Sequence, residues 1–337
     1  MPLADSPIRA AIVGAGLMGR WHAHGLTRAG GRLIAVADID APSAERLAHA
    51  SHARAFASVD DLIAQTQVDV LHICTPPETH AELAERALSA GVHVIVEKPL
   101  APDFETTERL LNLAQSAGKL LIPVHQFAFQ RGVQSALARL KQIAPLVHLD
   151  VTIVTAGGEG KDDGALDSLI SEILPHALAL FHRFLPYGLD GVAWKVFCPM
   201  PGELRVMGRA ESIGLTINLS TRARPTRNLL TVMGERGFVQ ADLFHGFAVF
   251  ENGAVSRAQK ILHPIAWSVR SFIAANQNLI VRAWRNEPAY PGLRELIGAV
   301  YRSISADSPA PIAPAEILAV ARARDELILL SRSKTDA

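Results

Sequence analysis

Three glycines constrain this chain more than any other feature. Gly14, Gly16 and Gly19 stand at G-x-G-x-x-G spacing, directly after a short apolar run at 10–13. A helix-like segment follows, then a second apolar run at 33–37 that ends on Asp38. Strand, tight turn, closely packed helix and second parallel strand form the unit that needs glycine at these positions. Gly14 permits the turn, Gly16 lets a pyrophosphate approach the backbone, and Gly19 lets the helix pack close to the strand. The free N–H groups and dipole at the start of that helix favour an anion. Asp38 falls where an acid accepts hydrogen bonds from the adenosine ribose hydroxyls. The spacing therefore predicts a dinucleotide site. Asp38-Ile39-Asp40 carries two acids, and no cation follows before Arg46. A 2′-phosphate would be repelled there, so NAD is the expected cofactor and NADP the disfavoured one.

The same alternation continues to about residue 123. Apolar strand candidates at 8–13, 33–37, 70–75, 92–97 and 119–123 are separated by helical patterns at 16–29, 43–50, 59–65, 79–90 and 104–117. Short apolar runs alternating with helical periodicity predict a parallel, doubly wound sheet, buried on both faces. After Val124 the strand candidates lengthen: 146–155, 192–197, 203–208, 212–219, 229–233, 237–242 and 247–251. Several alternate apolar and polar residues, as in Leu215-Thr216-Ile217-Asn218-Leu219, which predicts an antiparallel sheet with one covered face. Helices are expected near 130–143, 175–185, 264–283, 291–305 and 314–331. A chain of 337 residues exceeds the ~250–300 at which single cores stop growing. The expectation is an α/β chain: a doubly wound dinucleotide-binding domain over 1–123, then an α+β domain over 124–337 for substrate binding and oligomerisation.

Charge narrows the function classes. Lys+Arg and Asp+Glu are both 33, so no global field points to nucleic acid or a membrane surface. No apolar run reaches the ~18 residues of a membrane span. The polar residues 1–9 lead directly into the first strand, unlike a secretory signal, and the expected location is cytoplasmic. Cys74 and Cys198 read as small buried hydrophobes, and no metal-ligand spacing is present. The apolar stretch at 265–284 is read as a helix on the sheet or a lid, because Asn276, Gln277 and Asn278 dilute its apolar face and Lys is absent.

A second motif, Val96-Glu97-Lys98-Pro99, closes the fourth apolar run. In doubly wound sheets ligands bind beyond the carboxyl ends of the strands, so Lys98 is expected in the crevice where a nicotinamide would lie. Thr75-Pro76-Pro77-Glu78-Thr79-His80 occupies the same edge.

These motifs, with Gly14-Ala15-Gly16-Leu17-Met18-Gly19-Arg20-Trp21-His22, resemble the glucose–fructose oxidoreductase / inositol dehydrogenase (Gfo/Idh/MocA) family. The resemblance implies an N-terminal Rossmann domain and a second domain with an open-faced, mostly antiparallel sheet. It implies NAD(P)-linked oxidation or reduction at a secondary alcohol of a sugar, cyclitol or nucleotide sugar. It also implies homodimers or homotetramers formed through the open sheet. The cofactor set it suggests is Gly14, Gly16, Leu17, Met18, Gly19, Asp38, Thr75, Pro76, His80, Glu97, Lys98 and Gln126. The family's Asp-x-x-x-His element matches Glu172-Ile173-Leu174-Pro175-His176, where Glu172 departs from the usual Asp.

Pro is tolerated in a first helical turn, so the helix is expected to begin near Leu174. The dipole would then keep His176 a neutral acceptor. His176 is the expected general base, Lys98 the group that holds the substrate oxygen, and Glu172 the acid that orients His176 or binds a neighbouring hydroxyl. Asp162, Asp163 and Asp167 are alternative acids. His22 reads as a packing residue, His80 as structural at its helix start, and Arg222, Arg224 and Arg227 as a solvated loop. Two other functions remain open at this point. One is transient oxidation that returns NAD while a glycosidic bond breaks or a centre inverts. The other is a non-catalytic NAD-binding sensor, which the presence of Lys98 and His176 disfavours.

Overall fold

The apolar runs of the first third become short strands buried on both faces, and helices cover them. The computed structural model describes residues 7–253 and 256–332, apart from the side chains of residues 258 and 259; most of the N-terminal stretch, 1–6, lies outside it. Chain contacts divide into two compact units, Met1–His125 with Leu293–Arg322, and Gln126–Gly292 with Ala323–Ala337.

The first unit runs β1 (Arg9–Val13), α1 (Leu17–Arg28), β2 (Arg32–Ala37), α2 (Ala41–Ala50), β3 (Arg54–Phe56), α3 (Val59–Gln65), β4 (Val70–Ile73), α4 (His80–Ser89), β5 (His93–Val96), α5 (Phe104–Ser116) and β6 (Leu121–Pro123). All its strand pairs are parallel, in the order β3-β2-β1-β4-β5-β6. That order reverses direction between β1 and β4, which opens a crevice beyond their carboxyl ends. Every residue of β4 is buried. β3 was not anticipated; it is a three-residue edge strand, mostly exposed, too short to leave a periodic signal. Ser58 caps α3 and Asp103 caps α5, each accepting a backbone N–H three residues on.

The first unit also takes back a late segment, α10 (Leu293–Ala306). A single cut at 123/124 assigns this helix to the second domain. It packs instead on α1, and Tyr301 lies so close to Gly31 that a Cβ there would sit 2.4 Å from its ring. Residues Ile297, Val300 and Tyr301 are buried. The first part of the final helix, α11 (Pro314–Arg332), belongs here too, with the Arg322 guanidinium 4.7 Å from the Phe104 ring centroid.

The second unit holds α6 (Arg131–Ala138), α7 (Leu140–Ile143), β7 (Leu146–Val154), α8 (Asp163–Phe184), β8 (Ala193–Phe197), β9 (Glu203–Ala210), β10 (Ile213–Ser220), β11 (Arg227–Gly234), β12 (Gly237–Asp242), β13 (Phe247–Asn252) and α9 (Arg257–Trp284). Its seven strands follow the order β13-β12-β11-β7-β10-β9-β8. Only the β7–β10 pair is parallel, so the sheet is mixed and mostly antiparallel. Alternation sets its faces: Ile213, Leu215, Ile217 and Leu219 are buried, while Gly214, Thr216 and Asn218 look the other way and are half-buried. On that open face the Asn218 side-chain amide donates to Asp150 Oδ2 at 3.4 Å, and Thr216 Oγ1 lies 3.0 Å from His148 Nε2.

α8 begins earlier than expected. Asp162 Oδ1 accepts from the Ala165 N–H at 2.8 Å and starts the helix there. Pro175 is therefore interior and His176 sits mid-helix, which removes the helix-terminus dipole from the account of His176. Interior Pro costs about 3 kcal/mol. The buried stripe Leu166, Ile170 and Leu174 continues the stripe of Leu178 and Phe181, and each such burial returns roughly 1.5–3 kcal/mol. That apolarity gives α8 the length and hydropathy of a membrane-crossing helix, but over half of it is buried within the protein. It is a core helix. Cys198, expected inside, is exposed beyond the edge strand β8.

Candidate active site

The turn from β1 to α1 is fixed by close backbone contacts. Gly14 has φ +94°, and a Cβ on it would meet Cys74 O at 2.6 Å; one on Gly19 would meet Gly14 O at 2.0 Å. No side chain fits at either. Gly16 is the N-cap of α1, with no side-chain cap hydrogen bond, and the space beside it is open. Leu17 is exposed at the head of the helix and Met18 follows it. This cradle of unclaimed N–H groups fits a pyrophosphate.

Asp38 at the end of β2 shapes the adjoining edge. Its Oδ2 accepts the Ala15 N–H at 2.6 Å and its Oδ1 the Asp40 N–H at 2.8 Å. Each oxygen keeps a further lone pair for a ribose hydroxyl. Asp40 caps α2 by accepting from Ser43 N at 3.2 Å. Arg46, the nearest cation in sequence, is held by Ser43 Oγ at 2.6 Å and lies 3.8 Å from Asp40. Ile39 between the two acids is fully exposed.

Thr75 and Pro76 form the loop after β4. Buried His80 pins this loop to the next: its ring nitrogens lie 2.9 Å from Thr75 O and 2.7 Å from Pro99 O. His80 thus holds strand-end loops in place.

Glu97 and Lys98 follow β5 on the same edge. Lys98 is half-buried, and its backbone N–H donates to Glu97 Oε2 at 3.3 Å. Glu97 is buried and anchors a hydrogen-bonded array. His22 Nε2 lies 3.1 Å from Glu97 Oε1, His22 Nδ1 lies 2.8 Å from His72 Nδ1, and His72 Nε2 lies 2.8 Å from the Tyr301 hydroxyl. Burial alone would raise the Glu97 pKa; the hydrogen bond with His22, with Lys98 and its backbone N–H, turns the balance and holds it below the usual carboxylate value. Burial and His22 keep the His72 ring neutral, and burial keeps the Tyr301 phenol protonated. With an ionised carboxylate at one end, the array settles as Tyr301 O–H donating to His72, His72 N–H to His22, and His22 N–H to Glu97.

His22 is therefore a working member of the array and not only a packing residue. His72 carried a signal, a lone polar side chain inside an apolar run; Tyr301, over two hundred residues away in sequence, carried none.

In the second unit, Gln126 opens a 3-10 turn, Gln126–Phe129, after β6. It is buried, and its Oε1 has no hydrogen-bond partner among the described residues. A buried orphan acceptor costs roughly 1–3 kcal/mol, and a ligand donor would satisfy it. His176 is buried and stacks on Phe127, with ring centroids 4.5 Å apart and planes at 25°. Glu172 lies one turn earlier, half-buried on the same helix face. Asp163 receives Arg222 Nη2 at 2.8 Å, and Asp167 Oδ1 accepts Gly202 N–H at 2.8 Å. Those acids are used in local structure. Arg222 also donates to Pro201 O at 2.7 Å, and Arg224 donates to Ala223 O at 3.0 Å; both guanidinium groups brace their own loop.

Residues 8–125 match a protein family described as an oxidoreductase family with an NAD-binding Rossmann fold. Among curated relatives, a UDP-N-acetylglucosamine 3-dehydrogenase from Acidithiobacillus ferrooxidans is 32% identical over 179 residues, covering 46% of this chain and 56% of that protein. Inositol 2-dehydrogenase 3 from Saccharopolyspora erythraea is 33% identical over 155 residues, 45% of this chain and 42% of that protein. The chain thus spans about half the length of the curated relatives it matches. A structure of the WlbA dehydrogenase from Bordetella pertussis, in complex with NADH and UDP-GlcNAcA, superposes with a TM-score of 0.76 at 17% identity, covering 98% of this chain and 97% of that one. At that identity the likeness shows a shared fold.

Proposed function

We propose that the chain, whose residues 8–125 match the Gfo/Idh/MocA oxidoreductase family, is an NAD-dependent dehydrogenase or reductase. Its substrate would be a secondary alcohol or ketone of a sugar, cyclitol or nucleotide sugar. The observation that carries this reading is the carboxyl edge of the first sheet. There the uncapped start of α1, the Asp38 carboxylate and the residue Lys98 follow the carboxyl ends of β1, β2 and β5, with Lys98 next to a buried, ionised Glu97. The relatives named as dehydrogenases of inositol and of UDP-N-acetylglucosamine support the substrate class.

A bound NAD supplies the hydride acceptor. The residues of the chain supply position and proton handling. The N–H groups of α1 hold the pyrophosphate and Asp38 the ribose. Lys98 donates to the substrate oxygen and stabilises charge that develops on it, a contribution worth a few kcal/mol in a water-poor site. His176 takes the hydroxyl proton, its ring plane set by the stack on Phe127. Glu172 orients His176 or receives a neighbouring hydroxyl. The protein works as a homodimer or homotetramer, a reading supported by apolar side chains such as Met207 and Met233 exposed on the open sheet face.

The test incubates the full chain with NAD and a panel of cyclitols, sugars and nucleotide sugars. A net rise in reduced-nicotinamide absorbance is expected with one of them. Turnover of the substrate without that rise would replace the reading by transient oxidation. His176→Ala should flatten the pH–rate profile near neutrality, and Glu172→Gln should keep its shape; the reverse would make Glu172 the base.

A further inference from the structure

Among the described residues, exposed large apolar side chains concentrate on one side of α9. The helix is pinned to its own unit along the opposite side. Trp267 stacks on Phe238 with centroids 5.2 Å apart, His263 Nε2 lies 2.8 Å from Glu251 Oε2, Asn278 donates to His245 O at 2.9 Å, and Arg282 donates to Pro288 O at 2.7 Å. At 100° per residue these groups share one arc. The outward arc is apolar: Ile261, Ile265, Phe272, Leu279, Ile280 and Trp284 are each at least 65% exposed.

Nine of the nineteen exposed large hydrophobic residues found among the described residues lie on this one helix. At roughly 150–200 Å² for a large side chain and about two-thirds exposure, they present on the order of 1,000 Å². The largest apolar patch on an ordinary monomer is roughly 300–600 Å², and a stable interface takes about 800 Å² from each partner. The surface therefore matches one half of a stable interface.

We propose that a second copy of this chain covers it, α9 against α9, antiparallel about a two-fold axis between Phe272 and Ile273. The sequence is complementary to itself in that register. Ile261 meets Trp284, Ile265 meets Ile280, and Phe272 meets Ile273, so both ends of the apolar arc find apolar partners, as a two-fold interface requires. Asn276, the polar residue inside the arc, already donates its side-chain amide to Phe272 O at 2.8 Å. The antiparallel register opposes the helix dipoles, which parallel pairing would align. α9 is seated on the β12–β13 edge of the open sheet face, through Phe238 and Glu251, and the proposal does not depend on the proposed activity.

Two measurements test it, both on the full chain. Sedimentation velocity compares the parent with Ile265→Asp/Ile280→Asp and with the open-face variant Met207→Asp. The α9 variant is expected to lose half the parent mass, with circular dichroism and NAD binding unchanged; retention of the parent mass overturns the proposal. Oxidative cross-linking in a Cys198→Ser background fixes the register independently of any loss of folding. Phe272→Cys is expected to form a covalent dimer and Ile261→Cys to remain uncross-linked. The opposite pattern overturns the antiparallel pairing. A parent that is monomeric and co-sediments with anionic phospholipid vesicles through α9 overturns the second copy in favour of a lipid surface.

Discussion

His22→Ala removes the centre of the buried array, and its cost can be worked from the contacts. The ring is fully buried, 3.1 Å from Glu97 Oε1 and 2.8 Å from His72 Nδ1. Its loss takes a hydrogen bond from an ionised carboxylate, roughly 1.5–3 kcal/mol, and orphans the His72 N–H, roughly 1–3 kcal/mol. The two overlap because they belong to one network. An uncompensated buried charge after removal of one partner typically costs about 3–5 kcal/mol, and that is the expected loss here. With two compact units, global unfolding is a poor two-state measure. Hydrogen exchange of the β4 and β5 amides reads the first unit directly. A loss under ~1 kcal/mol, about a fivefold change in opening, would refute the claim that Glu97 is ionised and held by His22.

Acid provides the second arm. Glu97 has a folded pKa below its unfolded value of 4.5. Its contribution is therefore complete above about pH 4.5 and is lost as pH falls through the folded value. Glu97→Gln lacks this segment, so its stability should decline less on acidification below 4.5 than that of the parent. Parallel acid limbs would show that Glu97 does not titrate in this way.

Three further outcomes follow from the geometry. Gly19→Ala puts a Cβ 2.0 Å from Gly14 O, so calorimetry should find NAD affinity reduced more than about tenfold, a loss above ~1.4 kcal/mol. Asp38→Ser with Ile39→Arg should move the preference from NAD toward NADP, because Ile39 is fully exposed and an Arg there needs no repacking; unchanged relative affinities would remove Asp38 from cofactor choice. Lys98→Ala should lower kcat more than about tenfold while NAD binding persists; a smaller drop, under ~1.4 kcal/mol, would reject its catalytic role.

The first sheet was legible because its pattern is local. Its buried strands are short apolar runs, α2, α3 and α5 start at the side-chain caps Asp40, Ser58 and Asp103, and Gly14, Gly16 and Gly19 mark the turn. β3 was not, since three residues cannot show a period. The expected start of α8 failed for a physical reason: Pro175 invites a helix start, and the buried stripe from Leu166 onward overrides it. The strand-end residues of the candidate site could be placed from sequence. The array behind Glu97 could not, because His22, His72 and Tyr301 come from three distant stretches and meet only through the fold.

The return of α10 to the first sheet has a consequence for synthesis. The dinucleotide-binding part begins at residue 9, yet the hydroxyl that completes its buried array arrives with residue 301. Chains emerge from the ribosome N-terminus first, and domains generally fold as units. During translation of residues 126–292 the side of α1 at Gly25 that receives Leu293 and Ile297 has no cover, and His72 Nε2 has no Tyr301. A fragment ending at residue 125 inherits the same exposed surface permanently. Maturation of the cofactor-binding half thus waits on the far end of the message.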